Sequence, residues 1–223
     1  FVGSKIEQSE NTTQLGIYFK YKSILGKFII EPGVRLQWYA SMAEISPEPR
    51  LAVKYNATPS LRFKFAGGMY SQNLIAASSD RDVVNLFSGF LTGPTNLPET
   101  FDGKDVNSKL QKSTHAIIGA EIDLSNRLSL NIEGYYKYFP QLTNINRFKI
   151  YDENNKPPTG ASDVETKDFI IEKGQAYGAD MVLKYDYNKF YFWVVYSLGF
   201  VERQYEDKDG NMITYTPHFD RRH

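Results

Sequence analysis

The chain has 223 residues and no cysteine. Disulfides, thiolate metal sites and cysteine nucleophiles are therefore excluded, and the redox compartment stays open. No run approaches the ~20 apolar residues of a membrane-crossing helix, and mean hydropathy is −0.45. Neither sign of charge is in excess, since 26 Lys and Arg face 26 Asp and Glu. A basic surplus that would point to nucleic acid is thus missing. There is no Walker loop, dinucleotide fingerprint, Gly-x-Ser-x-Gly elbow or HExxH. What the chain has in quantity is aromatic: 16 Tyr and 15 Phe, residues that favour strands.

The stretch LSLNIEGYYKYF, 128–139, shows how these residues are arranged. Leu128, Leu130, Ile132, Gly134, Tyr136 and Tyr138 share one face of a strand, because side chains alternate. Ser129, Asn131, Glu133, Tyr135, Lys137 and Phe139 share the other. The same alternation recurs over 15–22, 27–41, 50–55, 61–70, 114–124, 177–187 and 190–201. Eight strands are predicted, in one domain, with no convincing helix and no linker. A soluble sheet would turn the apolar set to a core, and a membrane barrel would turn it to lipid.

The connections run short, long, short, long. The short ones are 23–26, 56–60, 125–127 and 188–189; the long ones are 42–49, 74–111, 141–173 and the segment after Arg203. In an up-and-down meander this puts tight turns at one end and long loops at the other, the habit of outer-membrane barrels. Several strands reach the ~9–11 residues needed to cross a bilayer obliquely. Aromatics gather near strand ends: Tyr18, Tyr21, Phe28, Tyr55, Tyr185, Tyr187 and Phe190 at one end, Trp38, Tyr39, Tyr70, Tyr136 and Tyr138 at the other. They are expected to form two interfacial girdles. The fold class predicted is all-β, an antiparallel up-and-down transmembrane β-barrel with long extracellular loops and short periplasmic turns. A soluble or surface-exposed β-sandwich binding module and a complete eight-stranded barrel are the alternatives.

EPGVRLQWYAS (31–41) and SPEPRLAVKYNATPSLRFKFAGGMYSQN (46–73) resemble the barrel of TonB-dependent outer-membrane receptors of Bacteroidetes-type bacteria. EKGQAYGADMVLKY (172–185) is similar to that family's Gly-x-Ala-Tyr-Gly-x-Asp/Glu strand. VYSLGFVERQ (195–204) and PHFDRRH (217–223) resemble its Tyr-Ser-Leu strand and its Asp-Arg-Arg-His strand opening. The resemblance implies about eight strands of a plugged 22-stranded wall, in the bacterial outer membrane, serving energised uptake of a scarce nutrient. It implies no covalent chemistry and no cofactor. It implies outer-membrane lipid, the plug domain, the TonB complex acting through that plug, and a surface lipoprotein as partners. Neither plug nor TonB box is visible. The opening FVGSKIEQSENTTQ lacks the apolar core of a signal peptide, so a mature or trimmed chain, or a piece of a longer one, is expected.

In the barrel reading the polar faces line the lumen and meet the plug. The residues are Arg35, Gln37, Tyr39, Arg62 and Lys64, then Glu121, Glu133, Lys137, Asp180 and Lys184. Tyr70, Phe87, Phe90, Phe101 and Tyr151 are the candidates for ligand contact at the long-loop end. His218 and His223 flank Asp220, but the spacing fits no metal pattern. Asp207, Asp209, Gly210 and Asn211 sit in a turn that lacks the ordered ligands of an EF-hand. No metal site is predicted.

Overall fold

The computed structural model describes residues 12–77, 87–90, 97–146, 148, 162–220 and 222. The side chains of 74–77, 87–90, 145 and 163–164 lie outside that description.

Chain order gives β1 (Gln14–Lys20), β2 (Ser23–Leu25), β3 (Phe28–Tyr39), β4 (Glu44–Thr58) and β5 (Leu61–Gln72). Two small hairpins follow: β6 (Leu74–Ala77) with β7 (Phe87–Phe90), and β8 (Thr100–Phe101) with β9 (Lys104–Asp105). Then come β10 (Gln111–Ser125), β11 (Leu128–Ile145), β12 (Phe169–Tyr187), β13 (Phe190–Glu206) and β14 (Met212–Tyr215). Ten strands form one antiparallel sheet in the order β1-β3-β4-β5-β10-β11-β12-β13-β14, with β2 also on β3. The sheet is open: among the described residues β1 and β13 do not pair. The only helical elements described are a 3-10 turn at Ala40–Met42 and a single turn at Asp163–Thr166. No helix is long and apolar enough to cross a membrane.

Register carries the alternation from strand to strand. Ile30, Val53, Phe65, Ile118, Gly134, Ala179 and Leu198 are successive partners across seven strands. One step along, Lys54, Lys64, Gly119, Glu133, Asp180 and Ser197 form a row on the opposite face. No second layer covers the apolar rows among the described residues. Ile17 is 66% exposed, Ile118 68% and Phe63 45%.

The expected eight strands are therefore present, with four differences. The first strand is broken at Tyr21 and Lys22 into β1 and β2, both on β3. The turn moves to Gly26 and Lys27, where Gly26 takes φ 59°. The predicted long loop 42–49 is a tight corner, and β4 starts at Glu44, so Pro47 and Pro49 lie inside a strand. They are tolerated because 44–49 pairs with β3 alone, leaving the edge that proline cannot serve unpaired. The asymmetry of connections accordingly holds for 73–110 and 146–168 but not for the β3–β4 corner. β12 runs 19 residues and β11 18, well beyond the predicted spans.

The core is confined to the loop end. Tyr39, Met42 and Leu110 form its buried cluster, with Phe169 packed against them. Of the expected girdle at this end, Trp38, Tyr136 and Tyr138 are exposed on the apolar face, but Tyr39 is buried. A bulge in β11 between Phe139 and Leu142 takes up Pro140.

Tyr135 folds over two glycines of its own cross-strand row, Gly178 and Gly199. A Cβ at Gly178 would strike the Leu198 carbonyl oxygen and lie 2.7 Å from the Tyr135 hydroxyl. At Gly134 the nearest atom to an added Cβ is 3.8 Å away. Gly178→Ala is expected to destabilise by about 1–3 kcal/mol through overpacking. Gly134→Ala should change stability by less than about 0.5 kcal/mol. Denaturant midpoints of the two variants check the pair.

Candidate functional site

Two features organise the polar face. The first is a charge network toward the tight-turn ends of β4, β5, β10 and β11. Glu121 lies 3.3 Å from Lys64, 3.5 Å from Lys54 and 3.5 Å from Arg62. Arg62 also reaches Asp123 at 2.8 Å. Lys64 donates to Asn131 Oδ1 at 3.0 Å and approaches Glu133 at 3.6 Å. Gly119 stands between Lys64 and Glu133 in the row and leaves the space for that contact. Four predicted lumen residues, Arg62, Lys64, Glu121 and Glu133, are thus brought together. Asp180 and Lys184, on the same face, make no ion pair among the described residues.

The second is a groove at the loop end, made of two adjoining cavities of about 320 and 340 Å³ that share Tyr70, Ser71 and Gln72. Its first half holds Arg35, Gln37, Tyr39, Glu48 and Arg50; its second holds Gln111, Lys112, His115, Lys137 and Phe139. Glu48 is 3% exposed and saturated. It accepts from Arg50 Nη2 at 2.8 Å, from the Ser71 amide at 2.9 Å and from Ser71 Oγ at 2.8 Å. The Tyr39 hydroxyl donates to the Ser71 carbonyl at 2.8 Å. Gln14 Nε2 donates to Asn73 Oδ1, and Asn73 Nδ2 to Thr12.

Tyr70, a predicted ligand contact, does sit in this groove. Its ring lies 4.5 Å from the Arg50 guanidinium and 4.6 Å from the His115 ring. Both neighbours pack on it, so its role is to hold them. Phe101 is elsewhere, in the β8–β9 hairpin, where it lines a separate cavity with Pro98, Ile170 and Ile171. The side chains of Phe87 and Phe90, and all of Tyr151, lie outside the described residues.

Glu48 and His115 were not among the predicted site residues. Glu48 falls in a segment that two prolines mark as loop, and His115 is a lone histidine on the polar parity of its strand. Extending the alternation of β4 back through Ala52 and Arg50 puts Glu48 on the polar face.

A strap, 97–110, crosses this end of the sheet. Asp102 and Gly103, at φ 53° and 69°, make the tight turn of its hairpin. The Lys173 ammonium contacts Asp102 at 2.7 Å, and the Asp102 amide donates to Glu206 at 3.0 Å. At the other end Ser108 Oγ and the Lys109 amide donate to Glu44 at 2.6 and 2.8 Å. Gln141, re-aimed by the β11 bulge, donates to the Ser108 carbonyl at 2.6 Å. The Asp207 turn is closed on itself: Asp207 Oδ1 accepts from the Asp209 and Asn211 amides. No group of His, Asp and Glu arranged to hold a metal is found among the described residues.

No known family model matches the chain, and no curated protein matches it.

Glu48→Ala removes the acceptor of three hydrogen bonds and is expected to cost about 2–3 kcal/mol. Glu48→Gln keeps an acceptor for Ser71 and should cost less; urea unfolding ranks the two. The hydrogen bond and charge of Lys173 hold the Asp102 carboxyl below the ordinary aspartate value. The strap contact is therefore fully present above the pKa of free aspartate and is lost as pH falls through the lowered one. The Asp102 carboxyl, followed by its carbon chemical shift against pH, is expected to titrate below the ordinary aspartate range, and Lys173→Met should move it back up.

Proposed function

We propose that this sheet is part of the wall of a transmembrane β-barrel in a bacterial outer membrane, of the TonB-dependent receptor kind. Its work in this reading is energised import of a scarce nutrient, with no covalent chemistry. The observation that carries the reading is the uncovered apolar face. Rows of apolar side chains run in register across seven strands with no second layer over them among the described residues. Soluble proteins rarely leave so continuous an apolar surface to water, whereas lipid is its natural solvent.

Three further features support it. The strands of 12 to 19 residues exceed the ~9–11 that a bilayer needs. The opposite face carries the charge network, as expected of a wall that encloses a hydrated plug. The open edges, β1 on one side and β13 over Phe190–Glu202 on the other, call for further strands, since unpaired edges do not persist in hydrocarbon. A wall of 22 strands with a plug inside supplies them. Its other partners would be the TonB complex acting through the plug, and a surface lipoprotein over the loop end. A β-sandwich would need a second sheet over the apolar rows.

Ile132 and Ser129 separate lipid face from lumen face on one strand. Ile132→Arg puts a cation amid Ala120 and Met181 and should block membrane assembly, at a midplane cost of about 2–4 kcal/mol. Ser129→Arg lies between Asp123 and Lys184 and should assemble nearly as wild type. The readout is the folded fraction in isolated outer membranes. Normal assembly of Ile132→Arg, or wild-type protein that is folded and monomeric in water without detergent, would end this reading.

A further inference from the structure

Buried polar atoms without partners are rare in folded proteins, and each asks for a reason. Among the described residues five side-chain atoms are in that state, and three of them belong to the loop-end groove: Gln37 Oε1, Arg50 Nε and His115 Nε2. Gln37 is itself only 4% exposed. Its amide nitrogen has a distant acceptor, Gln14 Oε1 at 3.5 Å, but its oxygen has no donor. The Arg35 guanidinium lies beside it over Gly16. A Cβ at Gly16 would be 2.7 Å from Gln37 Oε1 and 3.1 Å from Arg35 Nε. Arg35 is exposed and has no carboxylate partner among the described residues.

Charge at this groove is also unbalanced. Arg35, Lys112 and Lys137 have no acidic partner among the described residues, and Glu48 is already neutralised by Arg50. The network toward the tight turns, by contrast, pairs its cations with Glu121, Asp123 and Glu133. We propose that the groove binds an acidic saccharide, a hydroxyl-rich ring bearing a carboxylate. This deepens the transport reading by giving the chemistry of the cargo, and rests on that reading only for calling the ligand a cargo.

Three arguments lead to that class. A hydroxyl both donates and accepts, so one sugar face can satisfy an orphan acceptor, Gln37 Oε1, and an orphan donor, Arg50 Nε. A carboxylate matches the guanidinium fork of Arg35 in a way a neutral sugar does not. A flat aromatic ligand is disfavoured because the rings present already have partners: Tyr70 packs against Arg50 and His115, Phe139 meets His115 edge-on at 6.2 Å, and Tyr39 lies in the core. Arg50, Gly68, His115 and Lys137 lie in one cross-strand row. That row spans roughly 14 Å at ordinary strand spacing, room for more than one ring.

The test is calorimetric titration of the native detergent-extracted protein, at low salt, with trigalacturonate and with neutral maltotriose. Trigalacturonate is expected to bind at least about tenfold tighter than maltotriose, where tenfold corresponds to about 1.4 kcal/mol. Arg35→Glu should weaken it by at least a further factor of about ten, and Gln37→Ala should weaken it without changing the salt dependence. Lys189→Glu, at an exposed turn on the far end, should leave it unchanged. Equal binding of both sugars, binding of neither, or equal losses in Arg35→Glu and Lys189→Glu would overturn the proposal. Uptake of labelled trigalacturonate by whole cells is scored separately. Binding without uptake removes the transport reading and leaves the site; absence of binding removes the site whatever the uptake.

Discussion

A two-residue period kept in register across seven long strands is the constraint on which everything else in this molecule depends. A slip of one residue between any two strands would carry Ile118 or Ile132 to the charged side and Glu121 or Glu133 to the apolar side. Hydrophobic patterning alone resists such a slip weakly where strands are long. Side chains that fit over absent ones resist it better. Tyr135 lies over Gly178 and Gly199, where an added Cβ would be 2.7 and 2.8 Å from its hydroxyl. Lys64 meets Glu133 across Gly119. Each fit exists in one register only, and together they join β5, β10, β11, β12 and β13 in the middle of the polar face.

The same constraint explains why the core is so small and lies where it does. Over most of each strand the apolar set points away from the rest of the chain, so it has nothing of its own to pack on. In the proposed barrel it is at the loop end that the strands overrun the ~9–11 residues of a bilayer crossing. There the chain behaves as a water-soluble protein does. Tyr39, Met42 and Leu110 bury one another, Glu172 is fully enclosed by Arg203 and Tyr215, and the strap closes over the strand ends. Both Glu172 oxygens are hydrogen-bonded, by the Arg203 guanidinium and the Tyr215 hydroxyl, which offsets the cost of enclosing the group.

Much of this was legible in the sequence, because alternation is a local signal. The strands, their faces and three of the four tight turns follow from reading every second residue. Arg62, Lys64, Glu121 and Glu133 fall on one face by parity alone, and register then brings them together. What escaped was whatever depends on context outside a strand. Pro47 and Pro49 mark a loop by local rules, yet an edge with no partner lets them stand in a strand, and Glu48 between them was lost with it. The groove was missed for a related reason. Its pieces come from five strands, and the meeting of Gln37, Arg50 and His115 has no signature along the chain. Tyr70 was found, but as an aromatic near a strand end; that its ring is held between a guanidinium and an imidazole is a tertiary fact.

The two ends of the polar face differ in a way that a merely solvated surface does not require. Toward the tight turns, cations and anions interleave closely enough to cancel, so the face there is polar but carries little net field. At the loop end, Arg35, Lys112 and Lys137 have no acidic partner among the described residues, and their field reaches out from the groove. An anion arriving from that side meets attraction first and a neutralised wall beyond. For a site that only stored its ligand, a uniformly cationic face would serve as well or better. For a site that takes a ligand in and then passes it along the wall, attraction must fall off inward. Pairing the charges toward the tight turns achieves that without making the face apolar.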